Sequence, residues 1–451
     1  MSSTRRGAGL GARNGLGARS LAVACAVGLI SVAGHAQSAA PVAEQAASGL
    51  VAATPTTFVA LPTFIAVGGA LDDENIAIHE AMLVRHDLDK IVIVPYASAD
   101  PDKAAASSIE RFKKYRPDAR YVVLPDAAKD DASRDLAASW IANADLVFFT
   151  GGDQKRLISR FGSGAKPNAV LQALRDGMLR WGTLVAGTSA GAAMMSDPMF
   201  LGGGSESALS GELATDGEDG DPGAREGDRE PPEGVRLGPG LGLVPNVIID
   251  THFFPRGRIG RLIAAVDQQD GYVGLGIDED RAVRIAGGRM TAVGTHAALF
   301  VTGPIARDGL SRMGARITLM CDRDRVTVEP DRSEGATSKL RVECDFGSGA
   351  IRLDEAARAE MESFADAQDA AAKASKKFED DAWGRNVALQ MLRRLAADPS
   401  KEQRAQSEGF ELVIRADEKT RFAWDGKDPE TLRVADAIAD VRARVDAAPT
   451  E

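Results

Sequence analysis

The stretch Thr183-Leu184-Val185-Ala186-Gly187-Thr188-Ser189-Ala190-Gly191 decides how the whole chain reads. Thr183 to Ala186 is an apolar run of the kind that fills a buried strand. It feeds directly into a Gly-x-Ser-x-Gly pattern, and helix-compatible Ala192-Ala193-Met194-Met195 follows. Strand, sharp turn and helix in immediate succession form the context that this pattern needs. Glycine on both sides of the turn permits a bend in which a larger side chain would clash, and the bend lifts the serine hydroxyl into open space. Ser189 is therefore a candidate nucleophile, at the end of a strand in an α/β sheet.

Other segments repeat the strand signal on either side. Phe64-Ile65-Ala66-Val67 runs into Gly68-Gly69, a strand and its turn, and Lys90 to Pro95, Tyr121 to Pro125 and Ala144 to Phe149 supply further apolar runs. The stretches between them carry helical composition. Strands alternating with helices predict a mainly parallel sheet with helices on both faces. At 451 residues and 44% hydrophobic content the chain can bury a substantial core.

A serine hydroxyl needs a base to take its proton. Of the five histidines, His35 lies in an apparent leader. His79 and His86 fall in Glu74 to Leu88, read as a surface helix, and His296 in Thr291 to Val301, read as a hairpin strand. His252 differs, because it follows the buried-strand signature Val247-Ile248-Ile249-Asp250 and stands at that strand's carboxyl end, where open α/β sheets place their chemistry. A third strand-like run, Tyr272 to Ile277, ends in Asp278-Glu279-Asp280, and any of these carboxylates could orient the imidazole. The expectation is that alcohol, imidazole and carboxylate converge at one rim of a single sheet.

Four ordered blocks carry a resemblance over about Phe64 to Val301. They are Phe149-Thr150-Gly151-Gly152-Asp153-Gln154, the turn Gly187 to Gly191, Asp250-Thr251-His252-Phe253 with Arg256, Arg258 and Arg261, and Gly274-Leu275-Gly276-Ile277-Asp278-Glu279-Asp280. In these the chain resembles the cyanophycinase branch of the serine peptidases, with aspartyl dipeptidases among its relatives. The resemblance implies a glutamine-amidotransferase-like three-layer sandwich. It implies Ser189 as nucleophile, His252 as general base and acid, and Glu279, rather than its neighbours, as the orienting carboxylate. It places the oxyanion hole at the backbone N–H groups of Gly152 and Ala190, and substrate contacts at Gln154, Asp250, Thr251, Arg256, Arg258 and Arg261. Guanidinium forks suit carboxylates. The implied substrate is cyanophycin, a polymer of aspartate with arginine on each side-chain carboxylate, cut without a cofactor to β-Asp-Arg dipeptides through an acyl-enzyme. Reference cyanophycinases carry glutamine immediately before the catalytic histidine, where this chain has Thr251. That departure keeps two alternatives in view: an aspartyl or β-aspartyl peptidase acting on small peptides, and a non-catalytic protein that holds acidic peptides on the same fold.

The flanking regions set the setting. Arg5, Arg6, Arg13 and Arg19, the short apolar stretch Ser20 to Val32 and the small residues Gly34-His35-Ala36 read as a signal peptide over 1–36. The chain is then exported, to the periplasm or beyond the cell, with no permanent membrane span. Residues 37–58 read as a flexible linker, 59–303 as the catalytic domain and 304–451 as a smaller C-terminal α+β extension, with a homodimer left open. A net charge of −11 and the lack of a basic stripe argue against a nucleic-acid partner. No histidine stands at metal-ligand spacing from the cysteines. Export permits a disulfide between Cys321 and Cys344, which flank short strand-like segments. The insertion 203–234 holds ten acidic residues from Glu206 to Glu233 and reads as a solvated loop. In the extension, Arg316 to Arg341 and Phe410 to Phe422 read as strands, Asp354 to Ala397 as helical, and Pro429 to Asp446 as a final helix.

Overall fold

The computed structural model describes residues 61–84, 88–211, 214–215, 236–294, 298–330, 340–346, 351–374, 382–425 and 428–444. The expected signal peptide and linker, His35, His86 and His296, and most of the acidic insertion lie outside the described residues.

Five parallel strands form one side of a nine-stranded sheet, out to its edge. They are β1 (Thr63–Val67), β2 (Lys90–Val94), β3 (Arg120–Val123), β4 (Leu146–Phe149) and β5 (Leu184–Thr188), in the order β1-β5-β4-β2-β3. Their side chains alternate between two cores, as a pleated strand requires. Ile65, Val67, Ile91, Ile93, Leu146 and Phe148 meet Met82 and Phe112 of helices Ile76–Leu83 and Pro101–Lys113. Phe64, Ala66, Val92, Val147 and Phe149 turn the other way, to Ile141 and Leu174 of helices Asp131–Ile141 and Ala169–Trp181. These helices begin where their residue types predict. Asp100, Asp130 and Asn168 each accept backbone N–H bonds at a first turn, and Pro101 occupies the first turn of its helix, where no N–H is needed.

The fold is α/β, with parallel pairing confined to those five strands in this sheet. Beyond β1 the sheet continues antiparallel through Ala282–Ala286, Arg289–Val293, Arg325–Pro330 and Leu340–Asp345. A second, ten-stranded sheet contains Val247–Asp250 parallel to Val273–Ile277, then Ala298–Thr302, Ser311–Met320 and Arg433–Ala443. The strands carrying the serine and the histidine thus belong to different sheets, which corrects the single rim expected from the sequence. The single hairpin strand expected over Thr291 to Val301 is also split, since its two ends lie in different sheets. Val247, Ile249, Leu275 and Phe300 share a core with Phe64 and Phe149. On the opposite face Gly274 and Gly276 admit close neighbours: a Cβ would stand 2.7 Å from Leu262 Cγ at the first and 2.3 Å from the Phe253 ring at the second. The glycines let helix Ile259–Gln268 and the segment after His252 settle tightly on the sheet.

Residues beyond 303 contribute strands to both sheets. The helix expected over Pro429 to Asp446 is a short 3-10 turn, Pro429–Thr431, followed by the eleven-residue strand Arg433–Ala443. Its alanines and regularly spaced aspartates read as helical, but the segment lies between Ser311–Met320 and Phe410–Arg415 and is buried on both faces. Tertiary pairing overrides propensity there. The acidic insertion opens with a helix, Ser205–Ser210, whose Ala208 and Leu209 are buried. His79, expected on a surface helix, is fully buried, stacked on Tyr115 with centroids 4.4 Å apart. No disulfide joins Cys321 and Cys344: Cys321 Sγ lies 3.1 Å from the Leu432 carbonyl, and burial pushes the Cys344 thiol up to about 12.

The turn 321–324 takes the chain from one sheet to the other. Asp324, fully buried, accepts the Cys321 N–H at 2.8 Å and Arg433 Nε at 2.9 Å. Asp324→Ala leaves that guanidinium buried without its carboxylate, at an expected cost of about 3 kcal/mol or more, measurable as a lowered denaturant midpoint.

Candidate active site

The serine turn is made by backbone contacts that only glycine allows. A Cβ on Gly187 would lie 2.1 Å from the Gly191 carbonyl oxygen, and one on Gly191 would lie 2.4 Å from that of Phe149. Ser189 sits between them at φ +54° and ψ −116°, a sparsely populated conformation that costs a non-glycine residue about 1–3 kcal/mol. It is held there because its N–H donates to the Val67 carbonyl at 3.0 Å and its own carbonyl accepts from Ala192 and Ala193, both at 2.9 Å.

The second sheet is brought to this turn by the loop after β1. The Gly68 carbonyl accepts the His252 N–H at 2.7 Å, the Gly69 carbonyl accepts the Asp280 N–H at 2.7 Å, and the Gly68 N–H donates to the Arg281 carbonyl at 3.0 Å. The approach excludes side chains: a Cβ on Gly68 would stand 2.0 Å from the Asp278 carbonyl oxygen, and one on Gly69, at φ +111°, would stand 2.3 Å from His252 Cε1. Sequence reasoning read this glycine pair only as a turn. The signal available was its position at the carboxyl end of a predicted strand, where α/β sheets place their chemistry.

With the seam closed, Ser189 Oγ lies 2.8 Å from His252 Nε2, and His252 Nδ1 lies 2.8 Å from Glu279 Oε1. The three side chains named from the sequence meet in one chain of hydrogen bonds. A carboxylate can only accept, so Nδ1 carries the proton and Nε2 is left to take one from the serine hydroxyl. Burial lowers the His252 pKa below its ordinary 6.5 against the opposing hydrogen bond that it donates to Glu279, and the charges of Arg256 and Arg258 lower it further. Asp278 is half-buried, its Oδ1 has no hydrogen-bond partner among the described residues, and burial raises its carboxyl to about 6. Asp280, at φ +51°, is fixed on three sides. Besides its bond to Gly69, its carboxylate accepts the Asp72 N–H at 2.9 Å and its carbonyl accepts Asn75 Nδ2 at 3.0 Å. Glu279 therefore extends from a backbone anchored on both sides.

Gly151 is close to the serine, since a Cβ there would stand 3.3 Å from Ser189 Cβ. Gly152 has φ +140°, and a Cβ there would stand 2.1 Å from the Ala97 carbonyl oxygen. Among the described residues the N–H groups of Gly152 and Ala190 have no acceptor, so both remain able to bind an oxyanion.

The residues expected to touch substrate fall into two groups. Arg256 is exposed beside His252, joined to it only through the backbone at 3.2 Å, and Gln154 spends its amide NH₂ on the Phe200 carbonyl while keeping an acceptor. Asp250, Arg258 and Arg261 instead bind one another. Arg261 Nε donates to Asp250 Oδ2 at 2.7 Å and Nη2 to Oδ1, while Arg258 Nη1 donates to Oδ1 at 3.2 Å. Arg261 also bonds the Gly203 carbonyl at 2.5 Å and lies over the Phe200 ring at 4.6 Å. Burial works to raise the Asp250 carboxyl, but Arg261 and Arg258 outweigh it and hold the carboxyl below its ordinary value. Burial likewise brings Arg258 down to about 9. Thr251 is 5% exposed. This second group forms a buried floor under the site. Among the described residues no group of three or more His, Cys, Asp or Glu is placed to hold a metal, and no helix is long and apolar enough to cross a membrane.

Comparison with known proteins places this geometry in context. The chain is 33% identical to a cyanophycinase of Trichormus variabilis over 190 residues, 42% of this chain and 55% of that protein. It is 30% identical to a cyanophycinase of Synechococcus elongatus over 195 residues, 43% of this chain and 52% of that protein. The chain thus spans about half the length of these relatives. A crystal structure of a peptidase from an acI-B1 actinobacterium aligns with TM-score 0.39 and 16% identity, covering 54% of this chain and 92% of that one. Residues 64–293, half of the chain, match the model of peptidase family S51, and the segment holds the serine turn, His252 and Glu279; the chain belongs to peptidase family S51.

Proposed function

We propose that this protein is an exported serine peptidase that hydrolyses cyanophycin to β-Asp-Arg dipeptides, on a glutamine-amidotransferase-like sandwich. The observation that carries the reading is the unbroken contact from Ser189 Oγ through His252 to Glu279 Oε1, each link 2.8 Å. Ser189 Oγ attacks the scissile carbonyl carbon while its proton passes to His252 Nε2. Glu279 stabilises the imidazolium, and the N–H groups of Gly152 and Ala190 take the developing oxyanion. The carbon–nitrogen bond breaks as His252 returns the proton to the leaving amine. Water, deprotonated by the same nitrogen, then releases the acyl group and regenerates the serine.

Arg256, exposed and unpaired among the described residues, supplies a guanidinium for the free carboxyl terminus of the substrate's aspartate backbone. The cyanophycinase relatives support the polymer as substrate. Thr251 favours a second reading, a peptidase for small β-aspartyl peptides, because a short and buried side chain has no amide to offer a long polymer. Product masses separate the two: dipeptides released from the polymer support the first, and cleavage of small peptides alone the second.

Ser189→Ala is expected to lower hydrolysis by at least about 10³-fold, and Glu279→Gln by about 10³- to 10⁴-fold with the fold intact. Hydrolysis by the unmutated protein no faster than the uncatalysed background, with Ser189→Ala the same, would make this a binding protein instead. The pH dependence has a definite sign. The base must be neutral, and a lowered pKa keeps it neutral to more acid pH than an ordinary imidazole, so the acid limb of kcat/KM should have its midpoint below 6.5. A midpoint at or above 6.5 would mean that the hydrogen bond and charge of Glu279 outweigh burial at His252. Gly69→Ala forces a methyl against the imidazole and should reduce kcat about 10²-fold or more while Ser189 keeps its place.

A further inference from the structure

The segment Phe254–Gly260, which carries Arg256, is gripped from two sides by residues to which nothing above gives a role. On one side Ser205 Oγ donates to the Gly257 carbonyl at 2.7 Å and accepts the Arg261 N–H at 3.2 Å. On the other lies Ala382 to Asn386, beyond the residues matched by the family model. The Asn386 N–H donates to the Phe254 carbonyl at 2.9 Å. A Cβ on Gly257 would stand 1.7 Å from the Trp383 carbonyl oxygen, and one on Gly260 would stand 2.9 Å from the Trp383 ring. Only glycine admits this approach, and Gly257 further takes φ +56°.

The two sides are locked together by one carboxylate. Glu206 accepts Trp383 Nε1 at 2.5 Å, Ser407 Oγ at 2.8 Å and the Gly409 N–H at 2.9 Å. Three donors from the C-terminal part thus converge on a side chain at the start of the acidic insertion. Charge-assisted bonds of this kind are about twice as strong as neutral ones.

We propose that Trp383, clamped by Glu206, is a positioning residue that holds the Arg256 arm in place, so that the C-terminal extension sets affinity for carboxylate-bearing substrates. The inference rests on Arg256 as the substrate contact in the preceding reading. Trp383 lies behind the arm and touches no reacting group. Its loss should therefore loosen binding and leave the Ser189–His252–Glu279 contacts unchanged.

The test uses the full chain. Binding of poly-aspartate is measured in the Ser189→Ala background with Trp383→Ala, Trp383→Phe and Glu206→Gln added. The rate of Ser189 labelling by an uncharged fluorophosphonate is measured in the otherwise unmutated protein. Trp383→Ala should raise Kd about 10-fold, Trp383→Phe should fall between because its ring still covers Gly260, and labelling should stay within about 2-fold throughout. Unchanged Kd in the variants overturns the inference, as does labelling that falls in step with binding. If Trp383→Ala does not fold, Trp383→Phe and Glu206→Gln decide alone. Failure of the preceding reading is seen separately, in an unmutated protein that labels but cuts neither polymer nor peptide.

Discussion

Two carbonyl oxygens on the Gly68-Gly69 loop hold the site together. They accept the N–H groups of His252 and Asp280, each at 2.7 Å, and so join the ends of two strands in one sheet to the end of a strand in another. Backbone bonds of this length are possible only because no side chain separates the two surfaces; a methyl at either glycine would overlap the Asp278 carbonyl or the His252 ring. The seam places the imidazole between a hydroxyl from one sheet and a carboxylate from the other.

Strain and burial are distributed around that seam in a consistent way. Ser189, His252 and Asp280 all take positive φ without being glycine, and each is fixed by backbone bonds on more than one side. Such conformations persist only where the surroundings over-determine them. Beneath them Asp250, Arg258 and Arg261 form a buried ion cluster that carries its own counter-charge. Breaking one member would strand another in a low-dielectric interior, so the cluster acts as a stiff floor under His252. Arg256, two residues from Arg258, is left facing solvent.

Membership of peptidase family S51 accounts for the segment 64–293. The described residues after 293 are not an appendage in space. Arg325–Pro330 and Leu340–Asp345 extend one sheet, Ser311–Met320 and Arg433–Ala443 extend the other, and Ala382 to Asn386 packs behind the arm of Arg256. The C-terminal part therefore shares the core on which the site is built.

Local sequence determined what depends on neighbouring residues. The apolar run before Gly187-Thr188-Ser189-Ala190-Gly191 specified a buried strand and a tight turn, and the runs ending in His252 and Asp278-Glu279-Asp280 specified strand ends with chemistry on them. Choosing Glu279 from three adjacent carboxylates needed a resemblance, because residue type alone does not say which way a side chain points. Tertiary structure decided the rest. It split the triad between two sheets, turned the alanine-rich Arg433–Ala443 into a central strand, and spent Asp250 and Arg261 on each other. The physical reason is common to all three: strand pairing and the burial of charge are settled by partners far away in sequence, and a local pattern carries no record of which partner will arrive.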